Sequence, residues 1–120
     1  MNKISFTNLN IRQAEIWQVY FDPIKGSEQA GNRPAVVISG NLLNSNLDVI
    51  VVCPLSTSIH YFEGNPVLKP NSTNGLTKAS EVIVFHIRSI SKVRFKRKIG
   101  QISQIELEKI KKTLNDILKY

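Results

Sequence analysis

Apolar and polar positions along this chain change over in short bursts, with one long helical stripe only at the end. Glu15-Ile-Trp-Gln-Val-Tyr20 alternates with period two, which predicts a strand, and Asp22-Pro23 ends it. The polar loop 24–32 then leads into residues 34–39, where a continuous Ala-Val-Val-Ile run predicts a buried strand. Pro34 is expected at its first position, where a missing N–H is tolerated. Residues 41–47 read as a polar connector, and 48–54 as a second buried strand passing into the hydroxyl-rich Leu55-Ser-Thr-Ser-Ile-His60. Shorter strands are expected at 66–69, 80–84 and 85–90, with the turn-rich Pro70-Asn-Ser-Thr-Asn-Gly75 between the first two. Ser103-Gln-Ile-Glu106 is a capping box, and Leu107, Ile110, Leu114, Ile117 and Leu118 fall on one face of the helix that follows it. Many short strands with Gly, Pro and Asn turns predict a mainly β fold, a small, strongly curved antiparallel sheet or barrel with a C-terminal α-helix. Residues 1–13 read as an irregular N-terminal arm and 14–120 as one domain.

Composition supports a single core. The chain has 120 residues, 42% of them hydrophobic, enough to fold without disulfide or metal support. Cys53 is the one cysteine, and neither a signal peptide nor a membrane-length apolar run is visible, so the expected compartment is the reducing cytoplasm, away from any membrane. Sixteen Lys and Arg against nine Asp and Glu give a formal charge of +7. That balance suits a polyanion such as nucleic acid, and equally an acidic protein tail.

The polar residues narrow the chemistry. No histidine pair at helical spacing, Cys/His cluster, D-x-D, P-loop or dinucleotide fingerprint occurs, so no metal and no cofactor is expected. A phosphodiester cut without metal points to RNA, whose 2′-hydroxyl lies beside the phosphorus as an internal nucleophile. The protein must then take the 2′-OH proton, place a cation against the non-bridging oxygens and help the 5′-oxygen leave.

Arg33 suits the cationic role, because its planar fork matches phosphate and stays charged at any working pH; it would also serve to cap its loop or to pair with Glu28. Glu28 is the only carboxylate between Gly26 and Arg33, hence the candidate proton acceptor, or else the residue that orients Arg33. Gln29 and Asn32 suit contacts to base edges or phosphates, and equally a turn. Ser56, Thr57 and Ser58 offer hydroxyls at a strand end, where such residues also satisfy their own backbone. Of the two histidines His86 is the one to test, since an imidazole can donate or accept a proton, although a lone strand histidine is commonly structural. Arg88, alternating with Ile87, is expected to face the groove and grip phosphate. Lys92, Arg94, Lys96 and Lys98 share one side if their segment is extended, a cationic rail for a nucleic-acid backbone or a basic edge that blocks aggregation.

The run Trp17-x-Val-x-Phe-Asp-Pro-x-Lys-Gly-Ser-Glu-Gln-x-Gly-x-Arg-Pro-x-Val-Val-Ile-Ser39 closely resembles the signature of the MazF/PemK family of toxin endoribonucleases. The resemblance extends less densely from about Ala14 to Leu118. It implies an SH3-like barrel related to that of the CcdB gyrase toxins, with Arg33 as the catalytic arginine of "G-x-R-P". Pro54-Leu-Ser-Thr57 is similar to the family's "P-[IL]-T-[ST]", which implies that Ser56 stands where a catalytic threonine is usual, with Thr57 beside it. Phe85-His-Ile-Arg-Ser-Ile90 resembles "x-Q-[IV]-[RK]-[ST]-I", with His86 in place of glutamine. RNA contacts are thus expected from Lys25, Gln29, Asn32, His86, Arg88, Arg94 and Lys96. The implied activity is metal-independent, sequence-specific cleavage of single-stranded mRNA to a 2′,3′-cyclic phosphate and a 5′-hydroxyl, by a homodimer held in check by a cognate antitoxin. A CcdB-like gyrase poison and a nuclease-dead RNA-binding module are the alternatives.

Overall fold

The computed structural model describes residues 9–21 and 31–120. Its strands are β1 (Glu15–Phe21), β2 (Gly31–Val37), β3 (Val49–Ser56), β4 (Val67–Leu68), β5 (Ser80–Val82), β6 (Arg88–Ser91) and β7 (Phe95–Gln101). A short helix α1 (Asn41–Asn46) and a C-terminal helix α2 (Gln104–Lys119) complete the elements, with 3₁₀ turns at Val84–His86 and Lys92–Arg94. The sheet runs β4-β5-β3-β2-β1-β7, and β6 also pairs with β3. All pairings are antiparallel.

Two devices curl this sheet. Strand β3 serves two partners along one edge, β6 at Val49–Val52 and β5 at Leu55–Ser56. On the other side, the β1–β7 ladder carries register shifts between Ile16 and Trp17 and between Gln18 and Val19, irregularities of the kind that bend a strand and raise its twist.

Curling leaves both faces of the central strands buried, which is why they read as continuous apolar runs. Alternate side chains go to opposite sides. Trp17, Val19 and Phe21 of β1, Ala35 and Val37 of β2, and Ile50 and Val52 of β3 form one core with Ile11, Ile90 and Phe95. Ile16, Val36, Cys53 and Leu55 take the other side, where Leu107 and Ile110 of α2 cover them. The capping box at Ser103 and Glu106 forms as the sequence predicts. Among the described residues no helix is long and apolar enough to cross a membrane.

Several expectations are corrected. Strand β2 starts at Gly31, so Pro34 lies inside it. The proline is tolerated because pairing with β3 begins only at Ala35, leaving that edge of β2 open at Pro34. The expected connector 41–47 is helix α1, tied down by buried Asn44, whose side-chain amide donates to the Ser39 carbonyl at 2.9 Å. His86 lies on a 3₁₀ turn, with β6 beginning only at Arg88. The basic segment is broken by its own 3₁₀ turn, which buries Lys92 and so removes it from any cationic rail. Leu118 is 78% exposed: α2 rolls off the sheet after Leu114, and Ile117 is half-exposed as well.

Candidate active site

Where β2 and β3 part company, a main-chain irregularity builds the site. Ile38 donates its N–H to the Val51 carbonyl, so in this register the hydrogen-bonded pairs are 38/51 and 36/53, and the next would be 34/55. Pro34 has no N–H to give. The Leu55 carbonyl it would have satisfied instead accepts from Nη2 of Arg33 at 3.1 Å. A proline that spoils one ladder bond thereby fixes the neighbouring guanidinium across the gap. Gly31, at φ +104°, adopts the turn of backbone that glycine tolerates and that lets the loop enter β2 two residues before Arg33.

Arg33 is half-buried, and burial lowers its pKa from the ordinary value without discharging it at any working pH. Among the described residues one of its five donors is engaged, on Leu55, and a planar fork of this kind suits an anion. At the end of β3, Ser56 Oγ accepts from the Ser58 N–H at 3.1 Å, the local backbone bonding open to hydroxyls at strand ends. The same hydroxyl donates to the Ser58 carbonyl at 3.4 Å, a long bond whose proton a phosphate oxygen is able to take over.

Arg33, Pro34, Ser56, Thr57 and His86 line one cleft of about 620 Å³. A second hollow, of about 690 Å³, lies between the loop around Gly64 and the end of α2, and gathers none of the candidate residues.

The other candidates fall elsewhere. Asn32 is exposed on β2, outside the cleft wall, in register with Tyr20. Arg88 is half-buried on β6 with its guanidinium 5.1 Å from the centre of the Phe21 ring, so it does not line the groove as expected. Arg94 and Lys96 both sit 5.8 Å from the Tyr20 ring centre, on a separate basic patch at the end of β1. Lys98 pairs with Glu15 at 3.1 Å. Lys25, Glu28 and Gln29 lie outside the described residues.

The same cleft holds residues that pattern reading passed over: His60, Phe62, Ile83 and Phe85. Beneath them lies Glu81, with no exposed surface. Its carboxylate accepts the consecutive N–H groups of His60, Tyr61 and Phe62 at 2.7, 3.1 and 2.9 Å, and the Asn65 amide at 3.2 Å. Burial pushes this carboxyl's pKa up, but the four donors outweigh it and hold the group below the usual carboxylate range. A signal was present in the sequence, three rings in succession at His60-Tyr61-Phe62 amid polar loop residues. Among the described residues no group of three His, Cys, Asp or Glu side chains is placed to hold a metal ion.

Comparison with known proteins gives the family and the fold. Residues 12–118 match the family described as PemK-like, MazF-like toxins of type II toxin–antitoxin systems. The chain belongs to that family. It is 37% identical over 109 residues to the endoribonuclease MazF9 of Mycobacterium tuberculosis, covering 87% of this chain and 92% of that protein. It is 36% identical over 104 residues to the endoribonuclease toxin MazF of Escherichia coli K12, covering 86% and 88%. The fold matches crystalline MazF from Deinococcus radiodurans with a TM-score of 0.78 at 22% identity, over 94% of this chain and all of that one. The curled sheet with its C-terminal helix is therefore the MazF fold, as the resemblance implies.

Proposed function

We propose that this MazF-type toxin endoribonuclease cuts single-stranded RNA by directing the 2′-hydroxyl onto the adjacent phosphorus, with Arg33 and Ser56 holding the scissile phosphate. The observation that carries the reading is the cleft in which a preorganised guanidinium, a strand-end hydroxyl and two imidazoles meet. Arg33 offers fixed donors to the non-bridging oxygens, where charge builds in the transition state. Ser56, with Thr57 beside it, hydrogen-bonds the same phosphate. Glu28 accepts the 2′-OH proton, and His86 is placed in the cleft to exchange a proton with the leaving 5′-oxygen. Cleavage then gives a 2′,3′-cyclic phosphate and a 5′-hydroxyl. Lys25, Gln29, Asn32, Arg94 and Lys96 grip the rest of the strand.

In this reading the enzyme works in the cytoplasm as a homodimer and is silenced by a cognate antitoxin. An endoribonuclease from a mycobacterial species, matching at a TM-score of 0.72 and 18% identity, has been solved in complex with its cognate antitoxin. The +7 charge of this chain suits an acidic inhibitor as well as RNA.

Single-turnover cleavage of a defined RNA tests the chemistry. Cleavage is expected to persist in EDTA and to stop when the scissile ribose alone is replaced by deoxyribose. Arg33→Ala is expected to slow it by about 10²-fold or more, with incomplete rescue by Arg33→Lys. A requirement for Mg²⁺, or an alanine variant within threefold of wild type, would overturn the mechanism.

A further inference from the structure

We propose that His60, Phe62, Phe85 and His86 form a stacking platform for an unpaired RNA base next to the scissile phosphate, and that Glu81 is the positioning residue for its outer half. The proposal rests on the ribonuclease reading above and adds the subsite that receives a base.

The four rings run in one chain of contacts. Centroids are 5.4 Å apart for His60 and Phe62, 5.4 Å for Phe62 and Phe85, and 4.9 Å for Phe85 and His86. Two come from the loop after β3 and two from the 3₁₀ turn before β6, so the chain spans both walls of the cleft that holds Arg33 and Ser56. Phe62 and Phe85 are each 47% exposed. Half-exposed phenyl rings beside a phosphate-binding arginine give a nucleobase a π-face to stack on, the arrangement by which single strands are held without reference to pairing.

The outer half would not keep its shape unaided. Tyr61, between the two outer rings, has φ +55°, a left-handed conformation that costs a non-glycine residue free energy and persists only where its surroundings impose it. Glu81 imposes it: three successive N–H groups turned inward around one anion make a backbone nest, here filled by a side chain of the protein itself. Asn65 closes the far end, donating to Glu81 at 3.2 Å and accepting from the Val84 N–H at 3.2 Å, which ties the loop to the turn that carries Phe85 and His86. Glu81 is also in register with Ser56 across the β3–β5 ladder. One buried carboxylate thus locates the rings relative to the hydroxyl that binds phosphate.

The test uses the full-length protein and an RNA oligonucleotide spanning a mapped cleavage site, with deoxyribose at the scissile position to block cutting. 2-Aminopurine, whose emission is quenched by stacking, replaces each base in turn. Quenching is expected at one position flanking the scissile phosphate. Phe62→Ala should abolish it and raise Kd about tenfold, the loss falling more on Kd than on the saturating rate of the all-ribose substrate, while Phe62→Trp restores both. Glu81→Gln keeps the size and removes the charge, and should raise Kd in the same direction in protein shown by circular dichroism to be folded. Quenching at no position, or Phe62→Ala binding within twofold of wild type, would overturn the platform even if Glu81→Gln fails to fold. Cutting that persists with deoxyribose at the mapped scissile position, with quenching intact, would instead overturn the 2′-hydroxyl reading of the ribonuclease and leave the platform standing.

Discussion

At the scale of single residues, the site is a matter of which groups are held before substrate arrives. Arg33 is tethered by the Leu55 carbonyl and Ser56 by the Ser58 N–H, so neither has to find its conformation at the moment of reaction. Serine lacks the β-branch that stiffens threonine's χ1, and the bond to Ser58 supplies part of that restraint from outside. Ser56→Thr is accordingly expected to match or exceed the wild-type single-turnover rate, Ser56→Ala to fall well below it, and Thr57→Ala to do less than Ser56→Ala. Rates on one short RNA, with folding checked by thermal melting, decide the matter. A crippled Thr57→Ala beside an active Ser56→Ala would move the catalytic hydroxyl one residue along.

Among elements, the loop 60–65 and strand β5 depend on one another through Glu81. Its pKa in the folded protein lies below that of the unfolded chain, which makes the stabilisation it contributes fully present above the unfolded value, near ~4.3 for glutamate, and lost as pH falls through the lower folded value. Urea midpoints for wild type and Glu81→Gln should therefore differ by a constant amount between about pH 5 and 7, and converge in acid as pH falls through the lowered folded value. A gap that persists at low pH would mean that shape, not charge, carries the contribution. Glu81→Ala, which leaves three part-buried N–H groups without their acceptor, should cost roughly 1–3 kcal/mol.

For the molecule as a whole, charge is spread unevenly over the described surface. The cleft carries Arg33, whereas Arg94 and Lys96 gather around Tyr20, outside the residues that line the cleft. A strand of RNA long enough to reach that patch from the cleft would release counterions at both. Lys96→Gln is then expected to weaken RNA binding irrespective of sequence and to reduce the slope of log K against log salt by about 0.7, the value for one phosphate contact on a single strand. The same substitution should leave binding of an RNA confined to the cleft as it was. An unchanged slope with a long RNA would take the patch out of the RNA path.

Strand β1, the buried runs of β2 and β3, the capped helix α2 and the pairing of Arg33 with Ser56 were all legible in the sequence, because each is a local pattern or a dense motif whose residues carry their own meaning. Period-two alternation and a continuous apolar run reflect what one strand must bury; a capping box closes within a single turn. Several features depended on segments distant in the chain. That the residue opposite Pro34 is Leu55, and so that Arg33 is tethered, follows from the β2–β3 register. That Lys92 is buried, Arg88 lies over Phe21 and Leu118 remains exposed follows from where the curled sheet leaves room. Glu81 reads in the sequence as an ordinary charged residue, expected on the surface. Only the tertiary structure brings the backbone of residues 60–62 onto it, since the free energy of burying a charge is recovered from donors that the chain supplies some twenty residues away.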